Sequence, residues 1–222
     1  MLVGLAALTM AAGLYGGLLY APTERVQGDV QRIFYVHLPL AWNAYLAFLV
    51  VFVASIAYLW KRAPWWDALA RASAEVGLVF TTLVLITGSL WARPIWGTWW
   101  SWDARLTTSL ILWFLYVGYL MLRGSVSDER RAARYAAVVG IVGFVDVPII
   151  HQSVVWWRTL HPESVVLAPG GPAMPAAMLG ALTISLVAFT LLYGLLVRLR
   201  LEAELLRREL RQLRVSTASG LA

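Results

Sequence analysis

Three histidines and an unusual density of tryptophan are the side chains in this sequence best suited to chemistry. His37 stands in RIFYVHLPLAW, His151 in VDVPIIHQSVVWW and His161 in TLHPESVV, and five tryptophans (Trp91, Trp96, Trp99, Trp100 and Trp102) fall within twelve residues. Imidazole binds iron well, and two imidazoles can fill both axial positions of a haem. A bank of indole rings offers a flat apolar ligand surfaces to stack on, with N–H groups left for its polar edge. Read as a helix, Trp96, Trp99, Trp100 and Asp103 follow an i, i+3, i+4, i+7 spacing, which predicts a short amphipathic helix lying in the membrane interface as an aromatic shelf. His37 and His151 flank that shelf. His161, farther along in a loop rich in Pro and Gly, is set aside as the spare. Two carboxylate side chains on a ligand such as haem require cations, for which Arg32 and Arg105 are the nearest, with Arg93 and Arg158 behind them.

Everything that positions these groups is membrane-like. Of the 222 residues 60% are apolar and 14% are charged, well away from the roughly half and quarter of a soluble domain. Six stretches, at about 2–20, 38–60, 74–92, 106–122, 135–152 and 175–198, have the roughly 20 apolar residues that a spanning helix needs. The first lacks a basic leader and is read as a true span. The expected fold is therefore all-α, an integral membrane bundle of six transmembrane helices, residues 1–198, with the short tryptophan-rich helix in the third, outer connection. Residues 199–222 read as a cytoplasmic C-terminal helix and tail with an apolar stripe and an i,i+4 pair, Glu204 and Arg208. Either lipid headgroups or a partner could cover that stripe.

Basic residues set the orientation. Lys61, Arg62, Arg71, Arg123, Arg130, Arg131, Arg134, Arg198, Arg200, Arg207, Arg208, Arg211 and Arg214 sit on one side, against Arg25, Arg32, Arg93, Arg105 and Arg158 on the other. The excess of positive charge marks the cytoplasmic side, so both termini are expected inside and His37, His151 and the tryptophan shelf outside. The net charge of +6 is then explained by the membrane, with no nucleic acid required.

Several chemistries are excluded. The chain has no cysteine, hence no thiol nucleophile, no thiolate metal site and no Cys-x-x-Cys-His attachment of haem; any haem here is held non-covalently. The single lysine, Lys61, follows IAYLW, which is no phosphate-binding loop, so ATP hydrolysis would belong to another chain. Asp146 lies within the fifth span, where a charged group is costly, and Pro148 is expected to bend that helix near His151.

The segment GSLWARPIWGTWWSWDARLTTSLILWFLYVGYL, with IFYVHLP before it and PIIHQSVVWWRTLHP after the fifth span, resembles the tryptophan-rich "WWD" haem-handling membrane proteins. Its continuation as WDARLT and its six spans are most similar to the cytochrome c maturation protein C (haem exporter protein C) branch. That resemblance implies haem b as the ligand, with His37 and His151 on the iron and Trp91, Trp96, Trp99, Trp100, Trp102 and Asp103 as the platform. It also implies delivery of haem to a periplasmic haem chaperone, in a complex with ABC transporter subunits and a small single-span subunit, in the bacterial cytoplasmic membrane and in contact with its lipid. Such a chain handles its ligand and is not itself an enzyme. Alternative readings are a small membrane b-type cytochrome, which would place facing histidine pairs within the bilayer, and another haem lyase component of the same superfamily.

Overall fold

A computed structural model describes residues 1–157, 159–162, 165–166 and 170–220. Among these, the helices are α1 (Leu2–Tyr15), prolonged by a π-helical turn at Gly16–Tyr20, then α2 (Phe34–Lys61), preceded by a 3-10 turn at Asp29–Ile33. They continue with α3 (Pro64–Trp96), α4 (Ala104–Ser125), α5 (Glu129–Phe144), α6 (Asp146–Trp156) and α7 (Ala176–Gly220). Among the described residues six segments are long and apolar enough to cross a membrane, with α5 and α6 together forming the fifth. The chain is thus a multi-pass helical membrane protein, and its connections alternate between two ends of the bundle. One end gathers the first, third and fifth connections and most of the tryptophans; the other gathers most of the arginines.

Small residues hold the helices together, as expected where lipid competes with every apolar side chain and close backbone approach supplies the attraction. A Cβ at Gly77 of α3 would lie 2.8 Å from the Ala47 Cβ of α2, and one at Gly140 of α5 would lie 3.0 Å from both Val51 and Ser55. The Ser73 hydroxyl donates to the Ala47 carbonyl at 2.8 Å and also meets the Tyr193 hydroxyl of α7, so three helices share one polar contact in the core. Phe48 stacks on Tyr116 with centroids 3.7 Å apart, bringing α4 onto α2. The Gly13 and Gly17 pair in the first span sits at close approaches of the same kind, Gly13 against Ser185 and Gly17 against the Tyr35 ring.

Two breaks shape the tryptophan-rich end. Pro148 has no N–H for the Phe144 carbonyl one turn earlier, and the fifth span divides there: α5 stops at Phe144 and α6 starts at Asp146. Asp146 is half-buried, and its Oδ2 has no hydrogen-bond partner among the described residues. The second break corrects the expectation of an interfacial tryptophan helix. α3 runs on to Trp96, Gly97 closes it in the left-handed region at φ +75° with its N–H on the Arg93 carbonyl, and residues 97–103 are non-helical. Asp103 then begins α4. Glycine and aspartate at these positions are strong stop and start signals, and they override the helical spacing of the tryptophans between them.

At the arginine-rich end, α7 does not stop at the membrane. Its 45 residues would reach roughly 68 Å at 1.5 Å per residue, about twice the hydrocarbon thickness. The tail is therefore a continuation of the sixth span, and ion pairs strap it to its own chain. Asp67 of α3 binds Arg123 of α4 and Arg208 of α7, each at 2.7 Å; Glu204 binds Arg71 at 3.2 Å and the expected partner Arg208 at 3.0 Å. Arg200 pairs with Glu75 and Arg211 with Glu129. Leu199, Leu206, Leu210 and Leu213 remain exposed along the tail.

Candidate functional site

His37 occupies the first turn of α2, reached through the 3-10 turn that carries Arg32. Its ring lies between two groups of α3: Thr87, whose Oγ1 is 2.8 Å from Nδ1, and Trp91, which meets it edge-on with centroids 5.7 Å apart. Phe34, one turn-face away on α2, also packs edge-on against Trp91 at 6.2 Å. The indole N–H of Trp91 donates to the Gln27 side-chain oxygen at 2.9 Å, so the first connection folds over and fixes the same ring. Gln27 is itself held in a tight turn in which the Glu24 carboxylate accepts from the Val26 and Gln27 N–H groups, at 2.8 and 2.5 Å. Those bonds hold the Glu24 carboxyl below its ordinary pKa.

The remaining tryptophans lie beyond this pair. Trp96 ends α3 and meets His161 edge-on at 6.1 Å, while Trp100 and Trp102 contact each other at 5.7 Å. Trp99 and Trp102 are exposed, 56% and 77%, and Trp100 buries its indole nitrogen with no hydrogen-bond partner among the described residues. Asp103 has a structural task. Its Oδ1 accepts from the Leu106 N–H at 3.0 Å, capping α4, and its Oδ2 accepts from the Ser101 hydroxyl at 3.1 Å.

The arginines separate clearly. Arg32, expected to reach a ligand carboxylate, is engaged by its own chain: it donates to the Gly17 and Ala21 carbonyls at 3.3 and 3.2 Å and pairs with Asp29 at 3.1 Å. These bonds tie off the π-helical end of α1, whose carbonyls would otherwise lack donors. Arg93 folds back onto the Gly97 carbonyl. Arg105, on the first turn of α4, lies near the Tyr45 hydroxyl and acts electrostatically on both His37 and His161. Arg158 lies outside the described residues.

His151 is exposed on α6, at the same end of the bundle as His37. His161 belongs to this neighbourhood too, despite its place in a Pro- and Gly-rich loop beyond the other two histidines. Its Nδ1 is 3.0 Å from the Pro162 carbonyl, which can only accept, so Nδ1 donates and Nε2 carries the lone pair. Burial first, then the Arg105 charge, lower its pKa to about 4, against smaller opposing effects of Pro162 and Asp103. It is neutral at physiological pH. No spacing signal marks His161, because its approach to Trp96 depends on an irregular loop. Thr87 and Gln27 were equally unmarked; the one available hint is that Thr87 stands one helical turn before Trp91.

Among the described residues no three His, Asp or Glu side chains group closely enough to hold a bare metal ion. The site instead offers single imidazoles among indole faces, an arrangement suited to a metal that brings its own equatorial donors.

The sequence matches the family model described as Heme exporter protein C over residues 1–216. The chain belongs to the Heme exporter protein C family. Relatives carrying that description include those of Bradyrhizobium diazoefficiens, 43% identical over 97% of this chain and 81% of the relative, and Haemophilus influenzae, 39% identical over 90% of this chain and 81% of the relative. The Heme exporter protein C of Escherichia coli K12 is 39% identical over 92% of this chain and 82% of its own length. The family match spans all six membrane segments, so His37, the tryptophan segment and His151 all lie within it.

Proposed function

We propose that this chain binds haem b non-covalently at the tryptophan-rich end of the bundle and hands it to a periplasmic haem chaperone during maturation of c-type cytochromes. His37 and His151 serve as axial ligands. Trp91, Trp96, Trp99, Trp100 and Trp102 form the apolar platform, Asp103 holds that platform's turn onto α4, and Arg105 meets a haem carboxylate. Arg32 contributes by fixing the first connection. The tryptophan-rich end faces outward and both termini lie in the cytoplasm, as the distribution of basic residues supports. ABC transporter subunits, a small single-span subunit and membrane lipid are the expected company in the bacterial cytoplasmic membrane; the chain handles haem and is not an enzyme.

The observation that carries this reading is the setting of His37. Its Nδ1 faces Thr87, its ring rests against Trp91, and it stands at the end of the bundle where the exposed indoles Trp99 and Trp102 gather. A haem bound there supplies an iron that accepts two imidazoles and a porphyrin face that stacks on indole. The residues of this chain orient the imidazole, screen one side of the ligand from water and keep its edge accessible. With no cysteine to form a thioether, release needs only the exchange of ligands.

The test is purification of the full chain in detergent from cells supplied with haem. The expected result is a Soret band that co-purifies with the protein and is removed entirely by acidified organic solvent. A preparation that neither retains haem nor takes it up on titration contradicts the proposal.

A further inference from the structure

The hydroxyl of Thr87 has one proton, and that proton is directed at the Leu83 carbonyl one turn earlier in α3, 2.7 Å away, with a longer contact to the Val84 carbonyl at 3.3 Å. Toward His37 the oxygen can offer only a lone pair. The 2.8 Å contact is therefore donated by His37 Nδ1–H, and a neutral imidazole with its proton on Nδ1 carries its free lone pair on Nε2. The same stretch of α3 fixes the ring's orientation. At Gly88 a Cβ would sit 3.2 Å from His37 Cε1, so the glycine leaves room for the imidazole, and Trp91 closes one side.

We propose that Thr87 is the positioning residue of His37: it selects the tautomer that presents Nε2 to iron and, by accepting the Nδ1 proton, strengthens the imidazole as a donor. This rests on the reading of His37 as an axial ligand. Outer-shell acceptors of this kind typically change metal affinity about 10- to 100-fold when removed. A stronger donor imidazole favours ferric over ferrous iron, so loss of the acceptor moves the midpoint potential of bound haem upward.

The experiment compares the full chain with Thr87→Val, which keeps the shape and loses the acceptor, Thr87→Ala, which loses both, and Thr87→Ser, which keeps the acceptor. Each is titrated with haem in detergent and poised electrochemically, with His37→Ala as reference. Both non-acceptor variants are expected to bind about 10- to 100-fold more weakly and to raise the potential of the haem they hold, while Thr87→Ser stays near the unmodified chain. Wild-type affinity and potential in Thr87→Val would overturn the proposal, and so would an equal loss in Thr87→Ser, which would reduce Thr87 to a packing residue. If His37→Ala leaves affinity and spectrum unchanged, the ligand assignment has failed, and the role of Thr87 fails with it. A loss in His37→Ala without one in Thr87→Val refutes the role of Thr87 alone.

Discussion

The indole N–H of Trp91 and the side-chain oxygen of Gln27 meet at 2.9 Å across 64 residues of sequence, joining the first connection to the third helix immediately beside His37. Gln27 thereby controls the ring that forms one side of the proposed ligand pocket. Gln27→Ala leaves a part-buried donor without its acceptor, a loss of about 1–3 kcal/mol. The expected outcome is weaker haem uptake in a titration, with the helical circular dichroism of the bundle unchanged. Unaltered uptake would detach the first connection from the site.

At the other end of the bundle, the Asp67 carboxylate is shared by Arg123 and Arg208, with the side chains of Asp67 and Arg123 only 7% and 8% exposed. Asp67→Asn removes the charge and leaves two guanidinium groups facing each other. Breaking a buried pair costs about 3–5 kcal/mol, so the thermal midpoint in detergent should fall and the tail of α7 should become sensitive to protease. Haem uptake at low temperature should persist, because the substitution lies at the opposite end from His37.

Gly17 tests the packing of the first span. A Cβ there would lie 2.5 Å from the Tyr35 Cβ, whereas one at Gly4 would meet nothing within 4 Å. Gly17→Ala is expected to destabilise the chain by about 1–3 kcal/mol through overpacking, read as a lowered thermal midpoint. Gly4→Ala should be indistinguishable from the unmodified chain.

The pH dependence follows from His161. In the folded chain its pKa is about 4, below the 6.5 of an unhindered imidazole. Between those values the unfolded chain binds the extra proton and the folded chain does not, so stability rises with pH through that window. The contribution of this group is complete above about pH 6.5 and is lost as pH falls toward 4. A thermal midpoint followed from pH 7 to pH 4 should fall less steeply in His161→Gln than in the unmodified chain; parallel curves would show that His161 is not held neutral.

Much of the architecture is legible in the sequence because it depends on composition over long windows. Runs of apolar residues mark all six spans, and Pro148 marks the bend in the fifth. Local competition is harder to read. The tryptophan spacing suggests a helix across Trp96–Asp103, yet Gly97 and Asp103 end one helix and start the next, so Trp99, Trp100 and Trp102 are displayed on a loop. Distant pairing is harder still. The Glu204 and Arg208 pair is visible in the tail itself, but its docking depends on Asp67 and Arg71, more than 130 residues away. In the candidate site, residue types alone single out His37 and the tryptophans as candidates. The engagement of Arg32 by backbone carbonyls, the approach of His161 to Trp96 and the contact of Thr87 with His37 all depend on tertiary placement that no spacing encodes.

Bis-histidine ligation of haem by His37 and His151 can be read from electron paramagnetic resonance of the purified ferric complex. A low-spin bis-imidazole signal is expected in the unmodified chain, replaced by a high-spin or altered signal in His37→Ala and, separately, in His151→Ala. An unchanged low-spin signal in either variant would contradict that ligation.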